Sequence, residues 1–110
     1  DHCLQQIAQA MAAQCQRPGD VCARYGGEEF VVLFPVTDAA EAALVAEKIR
    51  QAVADLALVH ERSEHRICTV SAGVAAMLPS QQTHSDELLR HADRRLYQAK
   101  DQGRNSVVGD

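Results

Sequence analysis

The hydrophobic residues in three parts of the chain recur at the spacing of one face of an α-helix. The first of these patterns predicts an amphipathic helix over residues 1–16, which Pro18-Gly19 would end. Its apolar face consists of Leu4, Ile7, Ala8, Met11 and Cys15. The chain is therefore expected to open in a helix.

Two further helices follow from the same spacing. Asp38 is predicted to cap the second, because Glu41 follows three residues later in a variant of the capping box. The predicted buried face of this helix is Val45, Ile49, Ala52, Val53 and Leu56. Ser85 is predicted to cap a last helix that runs to about Gln102, with Gly103 directly after its end. The predicted buried face of the last helix is Leu88, Leu89, Ala92, Leu96 and Ala99.

Other segments have the composition of β-strands. Val21 to Tyr25 is a short candidate, and Gly26-Gly27 after it predicts a tight hairpin turn. The uninterrupted apolar run from Phe30 to Phe34 predicts a central strand covered on both faces. Arg66 to Met77 is rich in β-branched and small residues, which also favours a strand. A short final strand is expected at Ser106 to Val108.

The order of these elements indicates the fold class. Residues 58–65 are polar without a clear period and are predicted to form a loop. The remaining elements follow the order α-β-β-α-β-α-β, in which an adjacent hairpin is combined with helical crossovers. This order predicts an α/β fold (an α+β sandwich), with a mixed β-sheet packed by helices.

Composition and charge narrow the function classes. The chain has 110 residues, 46% of them hydrophobic and 24% charged, which fits one globular domain. No apolar stretch is long enough to span a bilayer, no secretory signal is visible and no CxxC motif occurs, so we expect a reducing, cytoplasmic location. A net charge of -4 with few aromatic residues disfavours a nucleic-acid polymer as partner. A single nucleotide held by a few local cations remains compatible with this chain.

Two adjacent carboxylates at the hairpin are the first candidate chemistry. Glu28-Glu29 follow Gly26-Gly27 directly, so both side chains could approach one bound cation. Hard oxygen ligands of this kind suit Mg²⁺ or Mn²⁺, which usually take one or two carboxylates together with substrate phosphates. Taken alone, such a hairpin is more often a solvated turn.

The surrounding motifs resemble the GGDEF family, the diguanylate cyclases. Residues 25–30 (YGGEEF) are similar to the family's signature, and residues 17–20 (RPGD) match its RxxD product-inhibition motif. Residues 69–75 (TVSAGVA) resemble the family's central strand, and residues 91–105 (HADRRLYQAKDQGRN) resemble its last helix and exit turn. The resemblance extends from Asp1 to about Val108. It implies a nucleotidyl-cyclase-like palm that condenses two GTP into cyclic di-GMP with release of two pyrophosphates.

The resemblance also implies a role for each catalytic position. Glu28 would bind metal and activate the attacking hydroxyl, and Glu29 would be associated with the metal. Gly26 and Gly27 would let the backbone approach the phosphates closely, because no Cβ atom intervenes.

Two cations near the end of the last helix match the pair that holds the triphosphate in this family. They are Lys100 and Arg104, and the spacing of Asp93, Tyr97, Lys100 and Arg104 predicts one shared helical face. The alternative is that these cations only complement the helix dipole. Asp1 resembles the family's guanine-contacting aspartate, and a simple helix N-cap is the equal alternative.

A second site is implied for the product. Arg17 and Asp20 could bind a guanine edge or a phosphate of cyclic di-GMP, and Lys48 falls where the family often has a supporting basic residue. The alternative is that Arg17 ends a helix and Asp20 belongs to a turn.

The resemblance also bears on domain organisation and partners. Family members carry a first strand and a helix before Asp1, so residues 1–110 are expected to be a partial domain that does not cyclise GTP alone. Catalysis would need a homodimer of domains and a sensory or regulatory module outside this chain. The alternative functions are a non-catalytic cyclic di-GMP receptor and a GTP-binding regulatory module.

Overall fold

Helices and short strands alternate along the chain in the predicted order. The computed structural model describes residues 2–26, 29–35, 37–59, 67–77 and 85–109. The helices and strands are α1 (His2–Ala13), β1 (Val21–Gly26), β2 (Glu29–Leu33), α2 (Ala39–Asp55), β3 (Ala72–Gly73), α3 (Ser85–Asp101) and β4 (Val107–Val108). This mixture of helices and small sheets confirms the predicted α+β fold class. The predicted loop over 58–65 falls mostly outside the described residues.

The strands form two ladders of opposite type. Strands β1 and β2 pair antiparallel as the predicted hairpin, with Val21 opposite Leu33 and Gly26 opposite Glu29. The register shifts between Arg24 and Gly26, so β1 has a bulge just before the turn. Strands β3 and β4 pair parallel. The predicted mixture of strand directions is therefore present, but within the described residues it is divided between two two-stranded sheets.

The long strand predicted from Arg66 to Met77 is much shorter in the structure. Among the described residues of this range, 67–77, Ala72 and Gly73 alone form a strand, because these are the residues that pair with β4. The amide of Ala72 donates to the Ser106 carbonyl at 2.9 Å, and that of Val74 donates to the Val108 carbonyl at 2.8 Å. The β-branched composition of the segment favoured a strand, but a strand also needs a paired neighbour.

Helix α1 ends at Ala13 rather than at residue 16. The amides of Gln14 and Cys15 bond to carbonyls three residues back, those of Met11 and Ala12, each at 3.0 Å. This tighter turn closes the helix before Pro18 is reached. The start of α2 is as predicted, since Oδ1 of Asp38 accepts the Glu41 amide at 2.8 Å.

The core lies where α1, α2 and the hairpin meet. Its buried residues are Ile7, Met11, Ile49 and Val53, and the hairpin residues packed against them include Cys22, Phe30 and Val32. Two burial predictions are wrong. Leu56 is 40% exposed because it lies just beyond the last residue of α2. Leu33 at the end of β2 is 50% exposed, since within the described residues β2 pairs with β1 alone.

Helix α3 packs against β3 and β4. Ala99 is fully buried on the predicted apolar face. A guanidinium nitrogen of Arg95 donates to the Val74 carbonyl and ties the helix to the end of β3. A search of the described residues finds no helix long and apolar enough to cross a membrane.

Candidate functional site

The predicted catalytic hairpin is present as a backbone feature. Gly26 and Glu29 face each other at the last described pair of the β1–β2 ladder. Gly27 and Glu28 lie between them, outside the described residues, as does Asp1. The roles predicted for these residues stay predictions. The hairpin nevertheless places Gly26 and Glu29, the first and last residues of this motif, opposite each other directly after a bulge.

The donor set at this hairpin fits a divalent cation of the magnesium type. Glu28 and Glu29 are the residues that would supply carboxylate oxygens, and Mg²⁺ takes one or two such groups while substrate phosphates fill other positions. Among the described residues there is no group of three or more His, Cys, Asp or Glu side chains that could hold a metal. A site completed by substrate phosphates needs no such group.

Helix α3 ends in a Schellman motif that carries both predicted triphosphate ligands. The amide of Arg104 donates to the Ala99 carbonyl at 3.0 Å, and that of Gly103 donates to the Lys100 carbonyl at 3.4 Å. Gly103 has a φ of +109°, which glycine adopts without the strain of a Cβ atom. Arg104 follows with a φ of 64°. Arg104 is therefore outside the helix, and the shared helical face predicted for it extends only as far as Lys100.

The backbone already satisfies the last carbonyls of α3. The Gln102 amide bonds to the Gln98 carbonyl at 2.9 Å, in addition to the two bonds of the Schellman motif. The side chains of Lys100 and Arg104 are exposed and form no hydrogen bond or ion pair within the described part of the chain. Because these cations are not needed to satisfy helix carbonyls, their charges are available to an anionic ligand.

Arg17 and Asp20 are brought together by the turn between α1 and β1. The Asp20 amide donates to the Arg17 carbonyl at 3.0 Å, and Gly19 has a φ of +89°. Proline at the second position and a positive φ at the third are features of a type II β-turn. Oδ2 of Asp20 accepts the Arg17 amide at 3.1 Å and Arg17 Nε at 3.4 Å.

One oxygen of this pair has no partner among the described residues. The Asp20 side chain is only 1% exposed, and its Oδ1 atom is buried and accepts no hydrogen bond from them. A buried carboxylate oxygen without a donor costs about 1–3 kcal/mol. The Arg17 side chain, in contrast, is 51% exposed. The turn thus places a solvent-facing guanidinium beside a buried acceptor that the described part of the chain leaves unsatisfied.

Thr37 is a member of this site that the sequence analysis missed. Its Oγ1 accepts a 2.6 Å bond from Nη2 of Arg17 and donates to the Pro35 carbonyl at 3.0 Å. The guanidinium also lies over the Phe34 ring, 5.7 Å from its centroid. No motif marks Thr37, because the contact depends on how the end of β2 folds back on the turn.

Lys48 is exposed on α2 and makes no hydrogen bond or ion pair within the described residues.

Two thiols lie next to this turn. None of the four cysteines forms a disulfide bond; Cys68 is buried, while Cys3, Cys15 and Cys22 are half-buried. Burial raises the pKa of Cys15 to about 11, with further increases from Cys22, which hydrogen-bonds to it, and from the charge of Asp20. Cys15 is therefore a neutral thiol at physiological pH.

These features define an α+β domain built around a glutamate-bearing hairpin, a cationic helix end and an Arg–Asp turn. The chain belongs to the GGDEF family, since the family model described as "Diguanylate cyclase, GGDEF domain" matches residues 1–106. Among curated relatives, "Response regulator PleD" of Caulobacter vibrioides is 41% identical over 99% of this chain, and "Diguanylate cyclase A" of Treponema denticola is 35% identical over 98%. The matches cover 24% and 28% of those relatives, so the chain spans about a quarter of their length.

Solved structures agree with this assignment. The GGDEF domain of DgcB from Caulobacter crescentus, in complex with c-di-GMP, has a TM-score of 0.83 and 33% identity, covering 97% of this chain and 62% of that one. The active GGEEF domain of a diguanylate cyclase from Vibrio cholerae has a TM-score of 0.78 and 30% identity, covering 98% and 66%. The chain therefore has the fold of this cyclase family.

Proposed function

We propose that this chain is part of the catalytic domain of a diguanylate cyclase, which as the intact protein condenses two GTP into cyclic di-GMP and two pyrophosphates. The observation that carries the proposal is the exposed pair Lys100 and Arg104, whose charges have no partner within the described residues. The Gly-Gly-Glu-Glu hairpin and membership of the GGDEF family support the same function.

The hairpin and the end of α3 have different roles in the proposed reaction. The 3′-hydroxyl of each GTP attacks the α-phosphorus of the other, so a P–O bond forms and the bond to pyrophosphate breaks. Lys100 and Arg104 hold the β- and γ-phosphates and neutralise the charge that builds on the leaving pyrophosphate. Glu28 activates the attacking hydroxyl. One domain holds one GTP, so two domains must face each other for reaction.

Glu28 and Glu29 are the residues that would hold Mg²⁺ or Mn²⁺. When bound, the metal lowers the pKa of the attacking hydroxyl and offsets charge on the phosphoryl oxygens. Gly26 and Gly27 leave space for the phosphates beside the backbone. Asp1 would accept from the guanine N1–H and N2 groups, which selects guanine over adenine.

Product inhibition is proposed at the Arg17–Asp20 turn. Arg17 keeps guanidinium donors beyond those used by Asp20 and Thr37, and a bidentate bond to a phosphate or guanine edge matches its geometry. Asp20 would accept from a guanine, which requires the turn to move so that its buried Oδ1 becomes accessible. Lys48 would add positive charge nearby. We further propose that the domain works in the cytoplasm, under a regulatory module elsewhere in the intact protein.

The test is turnover of GTP with Mg²⁺ by the intact protein, followed as cyclic di-GMP and pyrophosphate. We expect product from the wild type and loss of at least about a hundredfold in kcat for Glu28→Ala, a scale typical of removing a group that stabilises the transition state. Glu41→Ala, which changes an exposed glutamate in the first turn of α2, is the matched control and should retain activity. Equal turnover by Glu28→Ala would overturn the role of Glu28.

A cyclic di-GMP receptor is the second candidate, and the buried, unsatisfied Asp20 oxygen favours it. The DgcB structure named above contains c-di-GMP, which supports proposing such binding for this chain. Binding of labelled cyclic di-GMP without GTP turnover, abolished by Arg17→Ala, would support the receptor over the cyclase. GTP affinity without metal-dependent turnover would instead indicate a GTP-binding regulatory module.

A further inference from the structure

Arg50 on α2 makes a contact that joins this helix to the exit turn of α3. Its Nη1 donates to Oδ1 of Asn105 at 2.9 Å, across 55 residues of sequence. The remaining donors are held on α2 itself, with Nε bonded to Glu47 at 2.8 Å and Nη2 bonded to Gln51 at 3.0 Å. The Arg50 side chain is 17% exposed, whereas that of Glu47 is 51% exposed.

The turn that Arg50 contacts is the one that carries Arg104. Arg104 and Asn105 have φ values of 64° and 45°, so two consecutive non-glycine residues adopt the left-handed conformation. Such residues each cost of the order of 1–3 kcal/mol and persist only where surrounding contacts hold them. Asparagine tolerates this region better than arginine does.

Contacts on both sides hold this turn. On the α3 side, the Ala99 carbonyl accepts the Arg104 amide at 3.0 Å and Ser106 Oγ at 3.2 Å. On the α2 side, the Asn105 side chain accepts from Arg50. The planar guanidinium can bond Glu47 and Asn105 at once because its donors point in fixed, diverging directions. A lysine ammonium has no such fork.

We propose that Arg50 is a positioning residue: through Asn105 it fixes the left-handed exit turn of α3 and so directs the Arg104 guanidinium toward the triphosphate of GTP. The inference rests on the proposed function, because it concerns how that substrate is held. Arg50 itself does not touch the substrate. Without its bond, the turn samples other conformations and a smaller fraction of molecules is ready to bind.

The test compares Arg50→Gln with wild type in the intact protein. The probes are GTP turnover and, separately, binding of the α,β-methylene analogue of GTP with Mg²⁺. If the competent turn falls to about a tenth of the population, affinity falls about tenfold in proportion. We expect the KM for GTP and the Kd of the analogue to rise by about this factor, with a smaller change in kcat.

Arg94→Gln is the matched control, since it makes the same substitution and the same charge change at an exposed arginine of α3 that is not part of the proposed site. It should bind the analogue as wild type does. Asn105→Ala removes the same hydrogen bond from its acceptor side and should weaken binding of the analogue similarly. This variant also provides the test if Arg50→Gln fails to fold. In the double variant that combines Arg50→Gln with Asn105→Ala, the two losses of affinity should not add, because both substitutions remove the same interaction.

The outcomes separate the two proposals. Wild-type affinity in Arg50→Gln, or additive losses in the double variant, would overturn the positioning role and leave the proposed function intact. A parallel loss of cyclic di-GMP binding and of melting temperature in Arg50→Gln and Asn105→Ala would show a general structural role instead. Failure of the wild type to bind the analogue or turn over GTP would refute the proposed function and the positioning role together.

Discussion

A Cβ atom placed on Gly73 would lie 2.1 Å from the carbonyl oxygen of Ala92 and 2.2 Å from the amide nitrogen of Leu96. Strand β3 thus packs directly on the backbone of α3, with no room for a side chain. Gly73→Ala should destabilise the protein by about 3 kcal/mol or more, because neither backbone can move aside cheaply. Urea unfolding of the intact protein, followed by circular dichroism, measures this loss.

Gly109→Ala is the control for that substitution. A Cβ atom on Gly109 would meet Val74 and Ala43 side-chain atoms at 3.5 Å and 3.9 Å, which is ordinary van der Waals contact. Its free energy of unfolding should change by less than about 0.5 kcal/mol, as for substitutions away from strained or packed features. Equal stability of the two alanine variants would show that β3 does not approach α3 this closely.

The helix-end cations should act on substrate affinity rather than on folding. Lys100→Ala and Arg104→Ala each remove an exposed charge that lacks a partner within the described residues, so melting temperatures should stay close to wild type. The KM for GTP should rise about tenfold or more in each, since a hydrogen bond to a charged group contributes about 1.5–3 kcal/mol. Steady-state kinetics on the intact protein measure this rise.

Arg94→Ala provides a comparison on the same helix. Arg94 is also exposed on α3 but is not at a position implied in triphosphate binding. Its removal changes the net charge by the same amount, so it controls for long-range attraction of GTP. A KM raised as much by Arg94→Ala as by Lys100→Ala would mean that the helix end attracts nucleotide only through its overall charge.

Local sequence signals predicted the elements whose cause is local. Asp38 accepts the amide of Glu41 as the capping pattern indicated, and Gly103 follows the last helix with the positive φ expected there. The hairpin followed from Gly26-Gly27. In each of these cases a few neighbouring residues determine the geometry by themselves.

Features that depend on distant parts of the chain were not predicted. The strand at β3 is short because its pairing depends on β4, more than thirty residues away. The Arg50–Asn105 contact spans 55 residues and has no motif. Thr37 joins the Arg17 site because β2 ends beside the turn, which residue spacing does not show. Motif spacing predicts which residues belong to the site, but it does not show the contacts that orient them.

Thr37 should affect the proposed product site through Arg17. Thr37→Val keeps the shape of the side chain and removes the oxygen that accepts the 2.6 Å bond from Arg17. The freed guanidinium then has to be ordered on binding, which costs about 0.5–1.5 kcal/mol. Cyclic di-GMP should therefore bind a few-fold more weakly, measured by calorimetry, with uninhibited GTP turnover unchanged. Arg17→Ala should lose far more of the affinity for cyclic di-GMP. Tighter binding of cyclic di-GMP by Thr37→Val would mean that Thr37 competes with the ligand for Arg17.

The Cys15 thiol should make stability depend on alkaline pH. Its pKa is about 11 in the folded protein, against a model-peptide value of 9.0, mainly because of burial and then because of Cys22 and Asp20. Between these values the unfolded chain has lost a proton that the folded chain keeps, so the free energy of unfolding falls as pH rises. The contribution of the Cys15 thiol to the free energy of unfolding is fully present below pH 9.0 and is lost as the pH rises from 9.0 through about 11. Cys15→Ser removes the titrating group.

Urea unfolding of wild type and Cys15→Ser at matched pH values isolates this effect from the other titrating groups. The difference in the free energy of unfolding between the two proteins should be constant up to about pH 9. Above that pH the wild type should lose stability relative to Cys15→Ser. Iodoacetamide should also modify Cys15 more slowly in the folded protein than in urea at pH 8, because the thiolate is the reactive form. Parallel stability curves up to pH 11 would contradict the raised pKa and with it the close contact of Cys15 with Cys22.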